Sequence, residues 1–310
     1  MDACRTDNVY ASQIIQQIGV ENFSSIVSDD TGNTRKTRGT VTKRHEWMLN
    51  FADTCHRLHN TAQDIGKLSA FKKTIATCKR VVKYFAKSTI AKTALKRAML
   101  RKNIKRGLVG FSKTRFAGVV HSAESVRRCL PALHEIVEKE ASMVDIPVHP
   151  RWGPQDVHAS FVPNTRASGT FIADLSMLLS ILGPIAKAIE CLESAHSTLA
   201  DVFMFWLAVM ASYDTFLADT SRSADLSDET KDEIRRILNY RWKQMIEPPL
   251  NTSKGDHTQG TSVYVAAFVL HPGDFISPTT DCPVHAHTDQ EYRSSGILKP
   301  TVVIRQVHPL

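Results

Sequence analysis

The chain has 310 residues, 42% of them hydrophobic and 23% charged, with a formal net charge of +8. That is enough for one large domain or two of about 150 residues each, and it excludes a disordered tail, a collagen and a small disulfide scaffold. No stretch reads as apolar over the ~20 residues of a membrane span. Residues 1–10 carry Asp2, Arg5 and Asp7 where a signal peptide needs an apolar core, so the expectation is an intracellular protein without a membrane partner.

In chain order, residues 9–19 place Ile14, Ile15 and Ile18 at helical spacing, with Gly19 as the stop. Residues 23–27 read as a short strand that runs into Ser28, Asp29, Asp30, Thr31, Gly32 and Asn33. The pattern delivers two carboxylates on a turn at a strand's C-terminal end, where α/β sheets keep their sites. The same residues serve equally as turn formers, since Asp and Asn bond their own backbone. Residues 47–51 read as a second strand, and residues 56–68, 71–86 and 88–106 as three helices. Residues 108–111 suggest a further strand, and 117–140 a helix interrupted near Pro131.

Residues 143–169 are rich in Pro and Gly and read as a linker. Beyond it, 170–195, 198–218 and 226–246 have helical spacing; the middle one is apolar nearly all round and is expected to be buried, with Phe203, Phe205 and Trp206 in packing roles. Ser227 has the chemistry of an N-cap. Residues 263–270 form a last apolar segment, and 274–310 show no period. The expected organisation is an α/β region over 1–142, the linker 143–169, an all-α region over 170–273 and an irregular tail, helix-rich overall.

Six cysteines, Cys4, Cys55, Cys78, Cys129, Cys191 and Cys282, form no C-x-x-C pair, which argues for reduced, mostly buried thiols. Cys55, His56 and His59 could ligate a metal but read better as a polar helix start, and Asp281, Cys282, His285 and His287 have a loose metal-like spacing for which chance is the better account, so no zinc is expected.

Charge is concentrated. Residues 1–123 hold 23 Lys/Arg against 8 Asp/Glu, and residues 65–123 hold 16 Lys/Arg with no acidic residue. Basic side chains at that density bind phosphates by releasing condensed counterions, so nucleic acid is the partner to consider first. The alternative is a solvated basic face balanced by the acidic second half of the chain.

Five blocks, in order, resemble hAT-type DNA transposases of the branch common in fungal genomes. The run from Phe23 to Asn33 resembles that family's strand ending in T-D-N-x-x-N, with Asp29 on the metal-binding Asp and Asp30 where the family has Asn. Cys55, His56, Arg57, Leu58, His59 and Asn60, followed by Asp64-Ile65-Gly66-Lys67, resemble C-x-x-H-x-L-N and D-I-x-K; His56 falls on the family's His, and Asp53 stands where its Cys belongs. Lys113-Thr114-Arg115-Phe116 resembles K-T-R-W, with Phe116 replacing an aromatic thought to stack near a flipped base. Residues 183–202 resemble the family's inserted helical domain, and Tyr264 to Pro272 its Y-x-x-A-x-x-L-H-P block.

The resemblance implies a partial ribonuclease-H-like core interrupted by helices, a nuclear location that Arg35-Lys36-Thr37-Arg38 also suggests, and a parent reaction of metal-assisted DNA cleavage and joining. Mg²⁺ or Mn²⁺ is implied only for a complete carboxylate set, and no cofactor is expected here. The family's first Asp and last Glu find no counterpart, Glu291 lies in the wrong context, and no zinc-finger spacing occurs. The expectation is therefore an internal fragment: a truncated, catalytically inactive, DNA-binding remnant with an exposed sheet edge. Asp29 is its residual catalytic and metal-binding residue. The expected nucleic-acid contacts are His56, Lys72, Lys73, Lys79, Arg80, Arg101, Lys102, Lys105, Arg106, Lys113, Arg115 and Phe116. No small-molecule substrate is expected, while a homo-oligomer is admitted. The second reading is a helical protein that self-associates through residues 198–218 without any nucleic-acid role, and a third is a nuclease completed by another subunit's carboxylates.

Overall fold

The computed structural model describes residues 12–111, 117–139, 156–246 and 261–271. Three quarters of these are helical, and two short parallel strands form the one sheet among them, so the chain is helix-rich as its sequence suggests. Two compact units are present. Unit 1 comprises Met1–Thr61, Ala188–Asp225 and Lys231–Leu310; unit 2 comprises Ala62–Lys187 with Leu226–Thr230. The units part at positions 61/62 and 187/188, whereas residues on both flanks of 143–169 belong to unit 2.

Unit 1 opens with a helix, α1, over residues 12–18. It stops at Gly19, whose φ of 99° suits glycine and whose N–H donates to the Ile15 carbonyl at 3.1 Å. Ile15 is buried, but Ile18 is 56% exposed, so the expected apolar stripe is shorter than its spacing implies. Strand β1, Ser25–Ser28, pairs in parallel with β2, Leu49–Ala52, and Ser28 lies opposite Ala52. Between them runs α2, Gly32–Arg44, capped by the Thr31 side chain. Ile15, Val41 and Met48 make the local core, with Val20, Phe23 and Ile26 packed on it. Trp47 precedes the second strand instead of starting it, because the chain turns between His45 and Met48 before the ladder begins. Among the described residues β1 pairs on one side only, and Val27 is 57% exposed.

Helix α3, Thr54–Gly66, carries the chain from unit 1 into unit 2. In unit 2, α4 (Ser69–Lys87), α5 (Thr89–Arg101) and α6 (Ala117–Lys139) pack against one another. Their cores are Phe71, Ile75, Cys78 and Phe85 from α4, Ala91, Ala94 and Leu95 from α5, and Val126, Leu133 and Ile136 from α6. Helix α5 ends at Arg101, short of residue 106, because Asn103 takes a left-handed conformation (φ 54°) and the Ile104 N–H closes on the Met99 carbonyl at 2.9 Å.

Residues 108–111 are not a strand. Both backbone groups of Val109 are satisfied by side chains of α6: its N–H donates to Ser125 Oγ at 2.9 Å, and Ser122 Oγ donates to its carbonyl at 2.7 Å. Nor is α6 interrupted at Pro131. The proline ring faces solvent, while Leu130, Ala132 and Leu133 are buried, so packing on either side of it keeps the axis intact. Residues 140–155 lie outside the described residues. Within the remainder of the expected linker, α7 (Asp156–Ala159) and the first turn of α8 are ordered helix, and Phe161 is fully buried.

Helix α8, Arg166–Leu192, returns the chain to unit 1, followed by α9, Leu199–Ala218, α10, Asp228–Met245, and α11, Thr261–Leu270. Thr198 and Asp201 form a reciprocal capping box on α9, and Ser227 Oγ accepts from the Thr230 N–H at 3.2 Å. Phe203 of α9 meets Phe268 and Trp242 at ring distances of 5.5 and 6.4 Å, and Phe51 of β2 meets Tyr264 at 5.6 Å. Trp206 is fully buried; Phe203 and Phe205 are only half-buried, so α9 is not enclosed all round as its composition suggests. By length and composition α8 and α9 are both long and apolar enough to cross a membrane, which overturns the reading that no segment is. The core helix of a soluble protein passes the same test. The tail after His271 lies outside the described residues.

Candidate functional site

Two groups of residues carry the chemistry, one in each unit. In unit 2 the six cations of α4, Lys72, Lys73, Lys79, Arg80, Lys83 and Lys87, fall within an arc of roughly 120° at the α-helical 100° per residue. The residues opposite, among them Phe71, Thr74, Cys78, Val81 and Phe85, are buried. Every Lys and Arg of α4 and α5 is exposed except Arg80, which is half-buried. Lys79 lies over the ring of Phe111 at 5.6 Å. Lys73 lines a cavity of about 420 Å³ with Thr74, Thr77, Arg166, Phe171 and Asp174.

Not all of the expected contacts present a full charge. Glu135 of α6, nearly buried, accepts from Arg101 Nε at 2.6 Å and lies 3.6 Å from Lys102 Nζ and 3.8 Å from Lys139 Nζ. The Arg101 hydrogen bond and these three charges, against the opposing effect of burial, hold the Glu135 carboxyl below its ordinary pKa. Arg101 and Lys102 are therefore partly neutralised by a residue 34 positions away from Arg101, beyond the acid-free stretch. Lys105 and Arg106 are exposed, and the Arg106 carbonyl accepts from Arg128 Nε at 3.1 Å. His56 belongs to unit 1, in the first turn of α3, and Lys113, Arg115 and Phe116 lie outside the described residues.

In unit 1 the Asp29-Asp30 turn does stand at the C-terminal end of β1, but the organising carboxylate is Asp30. Arg35 donates to it through Nε at 3.0 Å and Nη2 at 2.7 Å, Arg38 Nη2 at 3.0 Å, and Arg57 Nη2 at close range. Arg38 is wholly buried and also bonds Asn50 Oδ1, Ser28 and the Asp29 carbonyl. Burial works to raise the Asp30 pKa, yet the bond from Arg35, the Arg57 charge and the bond from Arg38 outweigh it and hold the carboxyl below the usual range. Arg57 Nη1 donates to Gln244 Oε1 at 2.9 Å, which also accepts from Arg241 at 2.8 Å. Burial lowers the Arg57 pKa first, with the Arg241 and Arg35 charges adding to it and Asp30 opposing. With Arg38 buried and Arg35 paired to Asp30, the four-residue basic cluster at 35–38 is not the uniformly open surface it resembles in sequence.

Asp29 is half-buried, and its Oδ1 is enclosed without a hydrogen-bond partner in the described structure. Asp53, just past β2, uses its Oδ1 to accept the Cys55 and His56 N–H groups at 2.8 and 3.3 Å, capping α3. His59 Nε2 lies 3.9 Å from Glu193. A divalent ion needs several hard oxygens turned to one point. Here both Asp30 oxygens meet guanidinium groups and Asp53 caps a helix, so these residues do not fit a two-ion centre. Among the described residues no three of His, Cys, Asp and Glu converge on one point. Cys78 and Cys129 are buried and Cys55 and Cys191 half-buried; none of these four forms a disulfide, and desolvation pushes the Cys78 thiol up to about 12.

No protein-family model, curated protein or solved structure matches the chain.

Proposed function

We propose that the protein binds DNA through the cationic surface of unit 2 and is a catalytically inactive relative of hAT-type transposases. The observation that carries the reading is the arc of α4: six cations on its solvent side, an apolar core opposite, and no acidic residue in the helix. Such a surface binds the phosphate backbone without base readout, so affinity is salt-dependent and tolerant of sequence. The β1–α2–β2 arrangement with a carboxylate pair at the strand ends is what a partial ribonuclease-H-like core would contribute. The engagement of Asp30 by three arginines and of Asp53 by the α3 backbone supports a site without cleavage chemistry.

The test is a fluorescence-anisotropy titration of the full chain against duplex DNA at several salt concentrations, followed by inspection of the DNA. Binding that weakens steeply with salt, with intact DNA in Mg²⁺, is expected. Replacing Lys72, Lys79 and Lys87 together by Gln should reduce the slope of log affinity against log salt by up to about 2.7, near 0.9 for each phosphate no longer neutralised. Absence of binding at low salt, or Mg²⁺-dependent cleavage that Asp29→Ala abolishes, would overturn the proposal. The half-buried apolar residues Phe203, Met204, Phe205, Leu207 and Met210 of α9 favour a second reading, self-association without DNA. Salt-insensitive dimerisation would select it.

A further inference from the structure

Unit 1 has a basic element of its own. Helix α2 contains no acidic residue, and at 100° per residue Arg35, Lys36, Lys43 and Arg44 occupy an exposed arc of roughly 180° opposite the buried Thr37, Arg38, Val41 and Thr42. The helix ends at His45, whose N–H donates to the Val41 carbonyl at 3.0 Å, and Met48 N–H then donates to the His45 carbonyl at 3.0 Å. Met48 is 2% exposed within the core formed with Ile15 and Val41. Trp47 therefore sits at the tip of a turn fastened on both sides, yet it is 58% exposed. The His45 ring packs beside it, with centroids 5.3 Å apart and planes at 61°, so more than half of the indole stays in water. Glu46, also exposed, is the one acid in the turn.

A large aromatic surface held in water beside cations fits a nucleic-acid base next to its phosphates, since every base offers a π-face and every linkage a negative charge. Bases inside a duplex have both faces covered by their neighbours. We propose that Trp47 is a stacking platform for an unpaired base, with the flanking phosphates of that strand against Lys43 and Arg44. The inference rests on the DNA-binding reading above and adds to it a preference for single-stranded or frayed segments.

The experiment titrates the full chain, as wild type, Trp47→Ala and Trp47→Phe, against a labelled single-stranded oligothymidylate and against a blunt duplex at equal salt. Trp47→Ala should weaken single-strand binding on the order of tenfold, leave duplex affinity within about twofold, and leave the salt slope unchanged because no charge is removed. Trp47→Phe, which keeps a ring, should recover most of the loss. Circular dichroism should show all three chains equally folded, since the side chain is exposed. Equal affinity of wild type and Trp47→Ala for the single strand, or an equal loss on both DNAs, overturns the stacking role while leaving the cationic surface intact. Failure of the wild type to bind either DNA overturns the function reading itself, and the stacking role with it.

Discussion

Asp30 shows how one carboxylate can organise a strand end. Its side chain is 6% exposed and stands against Arg35, Arg38 and Arg57, of which Arg38 is 1% and Arg57 11% exposed. Removing one partner from a buried charged cluster leaves the others desolvated and unneutralised, which typically destabilises by about 3–5 kcal/mol. Asp30→Ala is expected to lose stability in that range, read as a shift of the urea midpoint for probes in unit 1. The pH dependence follows from the direction of the pKa shift. A carboxyl held below its unfolded value contributes stability that is present above the ordinary aspartate pKa, near 4, and is lost as pH falls through that value toward the folded one. Acid titration of wild-type stability should show this loss, and Asp30→Ala should show a shallower one. Asp29 and Asp30 are neighbours in sequence, and turn chemistry alone does not distinguish them. What distinguishes them is the reach of Arg57, 27 residues downstream, and of Arg38 on the next helix.

Local periodicity was a good guide to whole elements and a poor guide to their interruptions. The helices α3, α4, α9 and α10 lie close to where their spacing places them, because each buries one apolar face, while α5 stops at Arg101 where Asn103 turns left-handed. Pro131 reads as a break because it removes a backbone donor and crowds the carbonyl four residues earlier. In the structure that defect lies on the exposed side of α6, with Leu130 and Leu133 anchored in the core. Pro131→Ala should therefore restore the missing hydrogen bond without disturbing packing, and raise stability by up to about 3 kcal/mol. A urea midpoint unchanged or lowered by the substitution would contradict this account. Residues 108–111 mislead in the opposite sense: a short apolar run is ambiguous until the Ser122 and Ser125 hydroxyls that hold it are in place. Likewise, the acid that pairs with Arg101 lies 34 residues on, past the end of the acid-free stretch, so local charge density does not reveal it.

At the scale of the molecule, unit 1 is assembled from separate lengths of chain, while unit 2 is nearly continuous from Ala62 to Lys187. The bonds that close unit 1 span great distances in sequence: Thr54 with Met245 is separated by 191 residues and Arg57 with Gln244 by 187. By contrast Arg101 and Glu135 in unit 2 are 34 apart. Folding is slower where pairing is less local, because the chain must give up entropy before the partners meet. Pulse-labelled hydrogen exchange during refolding should find the amides of α4, α5 and α6 protected before those of α10, and simultaneous protection would count against this order.

The same discontinuity places a delay in synthesis. At about 5–20 residues per second, roughly 10 to 40 s pass between the emergence of Arg57 and that of Gln244. Through that interval the Arg57 guanidinium lacks its amide partner, and in its course the cationic helices α4 and α5 emerge beside the phosphates of the ribosome's own RNA.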